Sequence, residues 1–415
     1  MRALALLAAA SLATASTPPG GEAARPPAKV DPKVEAMERF SKGDYLRPIE
    51  AFEKAAFGPS GEIADNGAYQ MWSQMRPMIG GLAPPPRTAA TAPPLAAEDA
   101  ARLRAASVRN ALSVIRAEAA KTRIVILNEA HHRPRDRAFA LEVARALRPL
   151  GYDILAAEAF TNVDGKIGSP VARLERQRYP TFETGHYIHD PVFADFIRGA
   201  LAIGYRPAAY EIRPSQWRPD GGIAVREQAQ AENIAAILAS NPGARLFIHV
   251  GFSHVMEAPA ASSEGEMEWM AARLKKMTGI DPLTIDQANF GEASSARRGL
   301  DARALVEPRI RESSVLRLGA GAANVGDFAH SVDLQVFHPR TRLIHGRPDW
   351  LVRMGRTARP VPSSLLPVRG RRLVQAFLAG EKEGAIPIDQ VLVEAGKPAP
   401  WLMLPRRPVR YAVQD

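Results

Sequence analysis

The chain contains no cysteine. Disulfide scaffolds, thiolate metal sites and cysteine nucleophiles are therefore excluded. Thiolate chemistry is ruled out, and there are only nine histidines among 415 residues. Aromatic content is low at 7%, with five tryptophans. No apolar run is long enough to span a bilayer as a permanent helix. The longest such run lies at the very start, "MRALALLAAASLATASTPPGG": one arginine, a short apolar stretch, small residues, then prolines and glycines. It reads as a secretory signal peptide over residues 1–15, with "ATA" before Ser16 as the cleavage site. A periplasmic or secreted protein is expected, held together by its core rather than by disulfides.

What is present fits a folded protein: 46% hydrophobic and 24% charged residues. At this length two domains are expected rather than one. The net charge of +10 is concentrated at the C-terminal end, where residues 297–415 carry 18 Arg and 2 Lys against 11 acidic residues. No recognition helix or aromatic-interleaved basic motif accompanies it, so no nucleic-acid partner is expected. Two readings remain for the arginines: a solvated β surface, or contact with an anionic envelope surface or substrate.

Residues 16–95 read as a flexible Pro/Ala/Gly stretch, a helical segment over 34–57 and a Pro-rich linker at 80–94. Regular alternation follows. A helix over 97–120 leads to the strand "RIVILN", and a helix over 136–149 to "DILAAEAF". An irregular insertion then fills 161–189. A helix over 191–203 leads to "RPAAYEI", one over 223–240 to "ARLFIHVGFSH", and one over 266–278 to "PLTIDQANF". This spacing predicts an α/β domain over 96–295, three-layered, with a mostly parallel sheet between helices. Short strand-like runs after residue 296 predict a β-rich C-terminal region over 296–415.

In a parallel sheet, ligands bind at the carboxyl ends of the strands. That edge collects Asn128, Glu129, His131 and His132 from the first strand and Glu158 from the second. The third and fourth contribute Glu211, His249 and His254, with Glu257 beyond. A carboxylate in the apolar run "AAEAF" is costly to bury unless paired, so Glu158 has either an arginine partner or a chemical role. His249 precedes its strand end and fits a core histidine as well as a ligand. His254 follows Gly251, where glycine allows close backbone approach. His131 and His132 point in different directions, so one of them is expected to face the site. Such a set could hold a divalent metal, with Glu129, His131 and His254 as ligands. Equally, without metal, a histidine beside a carboxylate could deprotonate water. The insertion adds "GHYIHDP", with His186, Tyr187, His189 and Asp190: a lid over the pocket or a further ligand, or a surface turn capping the helix after Asp190.

The ordered set "ILNEAHH", "AAEAF", "REQAQAEN" and "FIHVGFSHV" resembles the superfamily of erythromycin esterases, ChaN-like haem-binding lipoproteins and TIKI/TraB proteins. The resemblance covers residues 120–290. The esterase branch has G-E-x-x-H at its first strand end, which Glu129 with His132 matches; Glu158 and His254 match its second-strand Glu and late His. The ChaN-like branch has G-E-x-H, which Glu129 with His131 matches instead. In both, Asn128 stands where glycine would. The helix carrying Arg226, Glu227, Gln230 and Asn233 resembles the "RD…MAEN" helix of these families.

The resemblance implies an exported hydrolase acting on a small-molecule ester or amide. Glu129 and His132 would activate water, Glu158 would orient it and His254 would support the transition state. His131, Glu211, Arg226 and His249 then fall among binding residues. The ChaN-like branch implies instead a non-catalytic protein holding haem or a metal.

Overall fold

In the computed structural model, residues 31–82, 94–165, 167–262, 265–292 and 297–415 are described. The segments read as a signal peptide and most of the Pro-rich linker lie outside these residues. The chain forms two compact units, one ending at Trp72 and one over Ser73–Asp415.

The first unit bears out the helical reading of 34–57 as a hairpin of two helices, Pro32–Ser41 and Leu46–Ala56. Asp31 caps the first, its side chain accepting from the Lys33 amide. Phe40 and Tyr45 meet edge to face across the turn.

The second unit is α/β, built on a nine-stranded mixed sheet. Five of its strands are β1 (Ser107–Asn110), β2 (Ile124–Glu129), β3 (Tyr152–Ala157), β4 (Arg206–Ala209) and β5 (Arg245–Gly251). Across the sheet the order is β1, 314–318, 334–337, 283–286, β2, β5, β3, β4, with Gly321–Ala322 pairing on 314–318. From 334–337 to β4 all neighbours are parallel. β1 and 314–318 add an antiparallel flank.

The central strands are apolar on both faces because both faces are covered. Val125, Leu127, Leu155, Ala157 and Phe247 point to one side, into a core shared with helices 111–119, 134–147 and 191–202. Their alternates Ile124, Ile126, Ile154, Ala156, Leu246 and Ile248 point to the other, against helices 222–240 and 270–278. The three-layer expectation is thus met by strict alternation along each strand. In register, Glu129 lies beside Gly251, and His249 beside both Leu127 and Ala157. This alignment brings the strand ends of the sequence motifs to one edge.

Three elements differ from expectation. The single helix over 97–120 is two, Ala97–Ala105 and Ala111–Ala119, separated by β1. The second starts where the Asn110 side chain accepts from the Ser113 amide. The insertion at 161–189 is not wholly irregular, because Ser169 caps a helix over Pro170–Gln177. The division expected at 296 is not a boundary: strands 314–318 and 334–337 complete the main sheet, and Ser73–Asp415 stays one unit.

Beyond these strands the β-rich expectation holds. Arg371–Leu378 pairs antiparallel with Asp389–Glu394 and with Val409–Gln414, over a small apolar core. The C-terminal arginines are only partly a solvated surface. Arg347 is buried and donates to both oxygens of the buried Asp389 at 2.7 and 3.0 Å. Arg356 reaches Asp195 at 2.9 Å, and Arg198 of helix 191–202 reaches Glu381 at 2.6 and 2.7 Å. Asp389 also accepts from the Met403 amide at 2.6 Å. Removing one partner of a buried pair leaves an uncompensated charge and costs about 3–5 kcal/mol. Asp389→Ala is therefore expected to lower stability by about that amount. Denaturant unfolding of the variant checks it, and a loss under about 1 kcal/mol would show Arg347 to be solvated in the variant.

Candidate functional site

The carboxyl edge of β2, β3 and β5 holds two histidine–glutamate pairs separated by a third carboxylate. The first pair begins with Glu129, the last residue of β2, which is buried. Arg137, one helical turn into helix 134–147, donates to its two oxygens from Nε at 2.7 Å and Nη2 at 2.8 Å. Arg137 is itself only 1% exposed and continues to Asp190 at 2.8 Å and to the His131 carbonyl at 2.9 Å. Burial alone would raise the Glu129 carboxyl, but the Arg137 guanidinium outweighs it and holds the group well below the carboxylate range. An ionised carboxylate only accepts, so His131 Nδ1, 2.9 Å from Glu129 Oε1, carries the proton of that bond. In the neutral ring, Nε2 is then the bare nitrogen.

The ring of His131 is fixed on two further sides. Tyr187 stacks on it at 4.0 Å between centroids, and Phe252 meets it edge-on at 5.1 Å. Gly251 is required beside it. A Cβ there would lie 2.5 Å from His131 Cε1, 2.8 Å from Nε2 and 3.1 Å from Glu158 Oε2. The next residue, Phe252, has φ of 38°, a left-handed conformation that costs a side-chain-bearing residue on the order of 1 kcal/mol or more. The strain turns the chain off β5 so that Phe252 covers His131 and His254 comes back under the edge.

The second pair is His254 with Glu227. His254 Nδ1 donates to Glu227 Oε2 at 2.8 Å, and the same oxygen accepts from the Met270 amide at 2.8 Å. Glu227 is fully buried and its other oxygen has no hydrogen-bond partner among the described residues. His254 Nε2 lies 3.2 Å from Arg226 Nη1 and 3.5 Å from Glu158 Oε1. Burial would lower this imidazole, but Glu227 and Glu158 overcome it and push it up to about 10. Its proton state selects its partner: a protonated Nε2 faces Glu158, and a bare one accepts from Arg226.

Glu158 lies between the pairs. Its Oε2 accepts from the Gly251 amide at 2.5 Å and its Oε1 from Arg226 Nη2 at 2.6 Å. His254 and Arg226 hold its carboxyl well below the ordinary value despite its burial. Arg226 also donates from Nε to Glu211 at 3.0 Å and from Nη2 to the other Glu211 oxygen. Gln230 Nε2 donates to Glu211 at 3.0 Å, and Asn233 Nδ2 donates to the Tyr210 and Glu211 carbonyls at 3.0 and 3.1 Å. Thus the helix singled out by "REQAQAEN" directs all four named side chains at this edge.

The structure brings together most of the residues expected from sequence: Glu129, His131, Glu158, Glu211, Arg226 and His254. Of the two adjacent histidines, His131 is bonded to Glu129, whereas His132 is half-buried and makes none of the bonds described above. His249 belongs to the core rather than to a binding surface. It is 2% exposed, packed between Phe193 and Phe196, and held by burial down to about 4, hence neutral. Glu257 lies apart, bonded to Lys275 and Thr284. Asn128 does not line the site as glycine would. Its amide locks the strand ends, donating to Asp286 and the Phe252 carbonyl and accepting from the Gln287 amide.

The metal set Glu129, His131 and His254 is not assembled. Among the described residues, no group of three or more His, Asp or Glu is arranged to hold a metal ion. The donor chemistry agrees, since both Glu129 oxygens are engaged by a guanidinium that would repel a cation.

Sequence reasoning missed Arg137, and named Tyr187 only as part of a loop that could lid the pocket. Arg137 had a signal: a carboxylate closing the apolar run "IVILNE" needs a cation, and an arginine eight residues on, in the following helix, is within reach. Asp190 was read as a cap, and it does accept from the Val192 amide at 3.1 Å, but it also holds Arg137.

No family model and no curated protein matches the chain. Among solved structures it is similar to chains described as bacterial protein toxins. One is 15% identical with a TM-score of 0.32, over 62% of this chain and 44% of that one. A second is 13% identical with a TM-score of 0.33, over 62% and 44%. RRSP, a MARTX toxin effector domain from Vibrio vulnificus CMCP6, is 16% identical with a TM-score of 0.29, over 59% and 42%. The chain spans less than half the length of each, and overlap of this extent bears on neither activity nor substrate.

The sign of the His254 effect on stability is fixed by its raised value. A group whose folded pKa lies above its unfolded value of about 6.5 contributes stability that is full below that pH and is lost as pH rises through about 10. The stability difference between the native chain and His254→Gln is accordingly expected to be largest below pH 6.5 and to shrink steadily towards pH 10. Urea unfolding across that range measures it, and a difference independent of pH would mean that His254 folds uncharged.

Proposed function

We propose that this edge is the active site of a hydrolase resembling the erythromycin esterase and ChaN-like superfamily, acting on an ester or amide of a small molecule. One observation carries the reading. His131 is held through Nδ1 by a carboxylate that Arg137 keeps ionised, so Nε2 is the nitrogen available to take a proton. In this role His131 Nε2 removes a proton from water as the water oxygen bonds to the substrate carbonyl carbon. The carbonyl oxygen gains the negative charge, which Arg226 and protonated His254 stabilise from the opposite side of Glu158. The proton on His131 passes to the leaving oxygen or nitrogen as its bond to carbon breaks. Glu158 does not attack. It holds Arg226 and the Gly251 amide in place.

The E-x-H pairing through His131 is the spacing of the ChaN-like branch, while Glu158 and His254 keep the positions of the esterase branch. Haem binding draws less support from these residues. A macrocycle laid over Glu158, Glu211 and Arg226 would desolvate charges, whereas such slots are mainly apolar. With residues 1–15 read as a signal peptide, the site would work in the periplasm or outside the cell.

Histidine general-base catalysis contributes about 10²–10⁴-fold. His131→Ala is therefore expected to lower hydrolysis by at least about 100-fold with little change in stability, and His132→Ala to leave most of it. A panel of chromogenic carboxylic esters, with melting curves for each variant, checks this. Equal activity in native protein and His131→Ala would remove His131 as the base, and loss only in His132→Ala would move that role to its neighbour.

A further inference from the structure

A concave site lies on the other half of the sheet's carboxyl edge. It has a volume of about 930 Å³ and shares no lining residue with the histidine–glutamate pairs. Pro339, just after strand 334–337, and Ile310, ahead of strand 314–318, form part of its wall. This volume falls within the range of small-molecule sites, about 300–1,000 Å³.

Its charge is one-sided. Arg135, Arg311, Arg340, Arg342 and Arg353 line it, against Glu307 and Asp349. Neutralisation inside the cavity is incomplete. Glu307 takes the Nε of Arg340 at 2.8 Å, leaving that side chain 77% exposed. Among the described residues Arg311 donates to nearby backbone carbonyls, of Pro308 at 3.1 Å and Ile310 at 2.9 Å. Arg135 is set by the chain itself, donating to the Pro339 carbonyl at 2.5 Å and Thr341 Oγ1 at 3.1 Å, with Glu292 3.7 Å away as its counter-charge. That anchoring fixes a guanidinium in the wall before any ligand arrives. Arg353 lies 3.4 Å from Glu142 and is half exposed. Behind the wall, burial and the charges of Arg135, Arg133, Arg303 and Arg353 hold the His338 imidazole well below its ordinary value, so it adds no charge of its own.

Guanidinium groups suit oxyanions, because each offers a planar fork of donors matched to two oxygens of a phosphate or a carboxylate. Five of them around one cavity suit a ligand with several phosphate charges. Trp350, Pro308 and Ala304 provide an apolar part of the same lining. We propose that this cavity binds a small molecule carrying two or more phosphate groups, separately from the hydrolytic edge. The arginine excess of the C-terminal end thereby serves a concave site in addition to the ion pairs inside the fold.

The test uses the whole chain with pyrophosphate and ADP as probes, by calorimetry in 0.15 M salt, where diffuse surface attraction is screened. Both probes are expected to bind saturably with one site per chain. The double variant Arg342→Ala, Arg353→Ala changes two exposed side chains and should unfold like the native protein. It should weaken both probes at least about tenfold, in keeping with the loss of charge-assisted bonds. Two results would overturn the proposal: no saturation by either probe up to about 1 mM, a weak affinity for any ligand site, or unchanged affinity in a double variant that is still folded. If ADP and pyrophosphate saturate but the variant binds as native protein does, the anions bind elsewhere and this cavity is not their site.

Discussion

The bidentate bond between Arg137 and Glu129 is the constraint on which the site depends. It joins the end of β2 to the helix that follows, and Arg137 extends it to Asp190, which caps helix 191–202. One guanidinium thus holds a strand, two helices and the His131 carbonyl. A buried pair of this kind adds little net stability compared with apolar packing, but it fixes geometry, since neither partner can be solvated elsewhere. Its consequence is electrostatic: Glu129 stays ionised and can only accept, which determines the nitrogen on which His131 carries its proton.

The same logic, with the opposite outcome, governs His254. There two carboxylates, Glu227 and Glu158, face one imidazole, and their combined field overcomes burial and keeps the ring charged. His131 and His254 are therefore not equivalent although each has a glutamate on Nδ1. One glutamate is held by a buried arginine and orients its ring through Nδ1; the other, with Glu158, keeps its ring charged. Arg226, tied to Glu158 and Glu211, completes the charge balance of the edge.

Much of this was legible in the sequence. The apolar runs "IVIL", "ILAA" and "LFIHV", spaced by helical segments, have the signature of parallel strands buried on both faces, and those strands formed. The strand-end rule then placed Glu129, Glu158, Glu211 and His254 together. What sequence could not resolve was direction within a turn. His131 and His132 are one residue apart, and only the path of the chain after Glu129 decides which ring returns to that carboxylate. Arg137 is easily passed over because an arginine on a helix ordinarily faces solvent, although the carboxylate ending β2 calls for a cation. The C-terminal strands were legible as β, but not their membership of the main sheet. Strands 314–318 and 334–337 pair with segments far away in sequence, and local pattern contains no record of that partner.

The central claim is that His131 is held as the Nδ1–H tautomer with a bare Nε2. Nitrogen-detected NMR of the histidine side chains, assigned by comparison with His131→Gln, tests it directly. The account predicts that the neutral His131 ring shows a proton directly bonded to Nδ1 and none on Nε2. A neutral ring protonated on Nε2 with Nδ1 bare would contradict it, because Glu129 could then not be the ionised acceptor that Arg137 is placed to maintain.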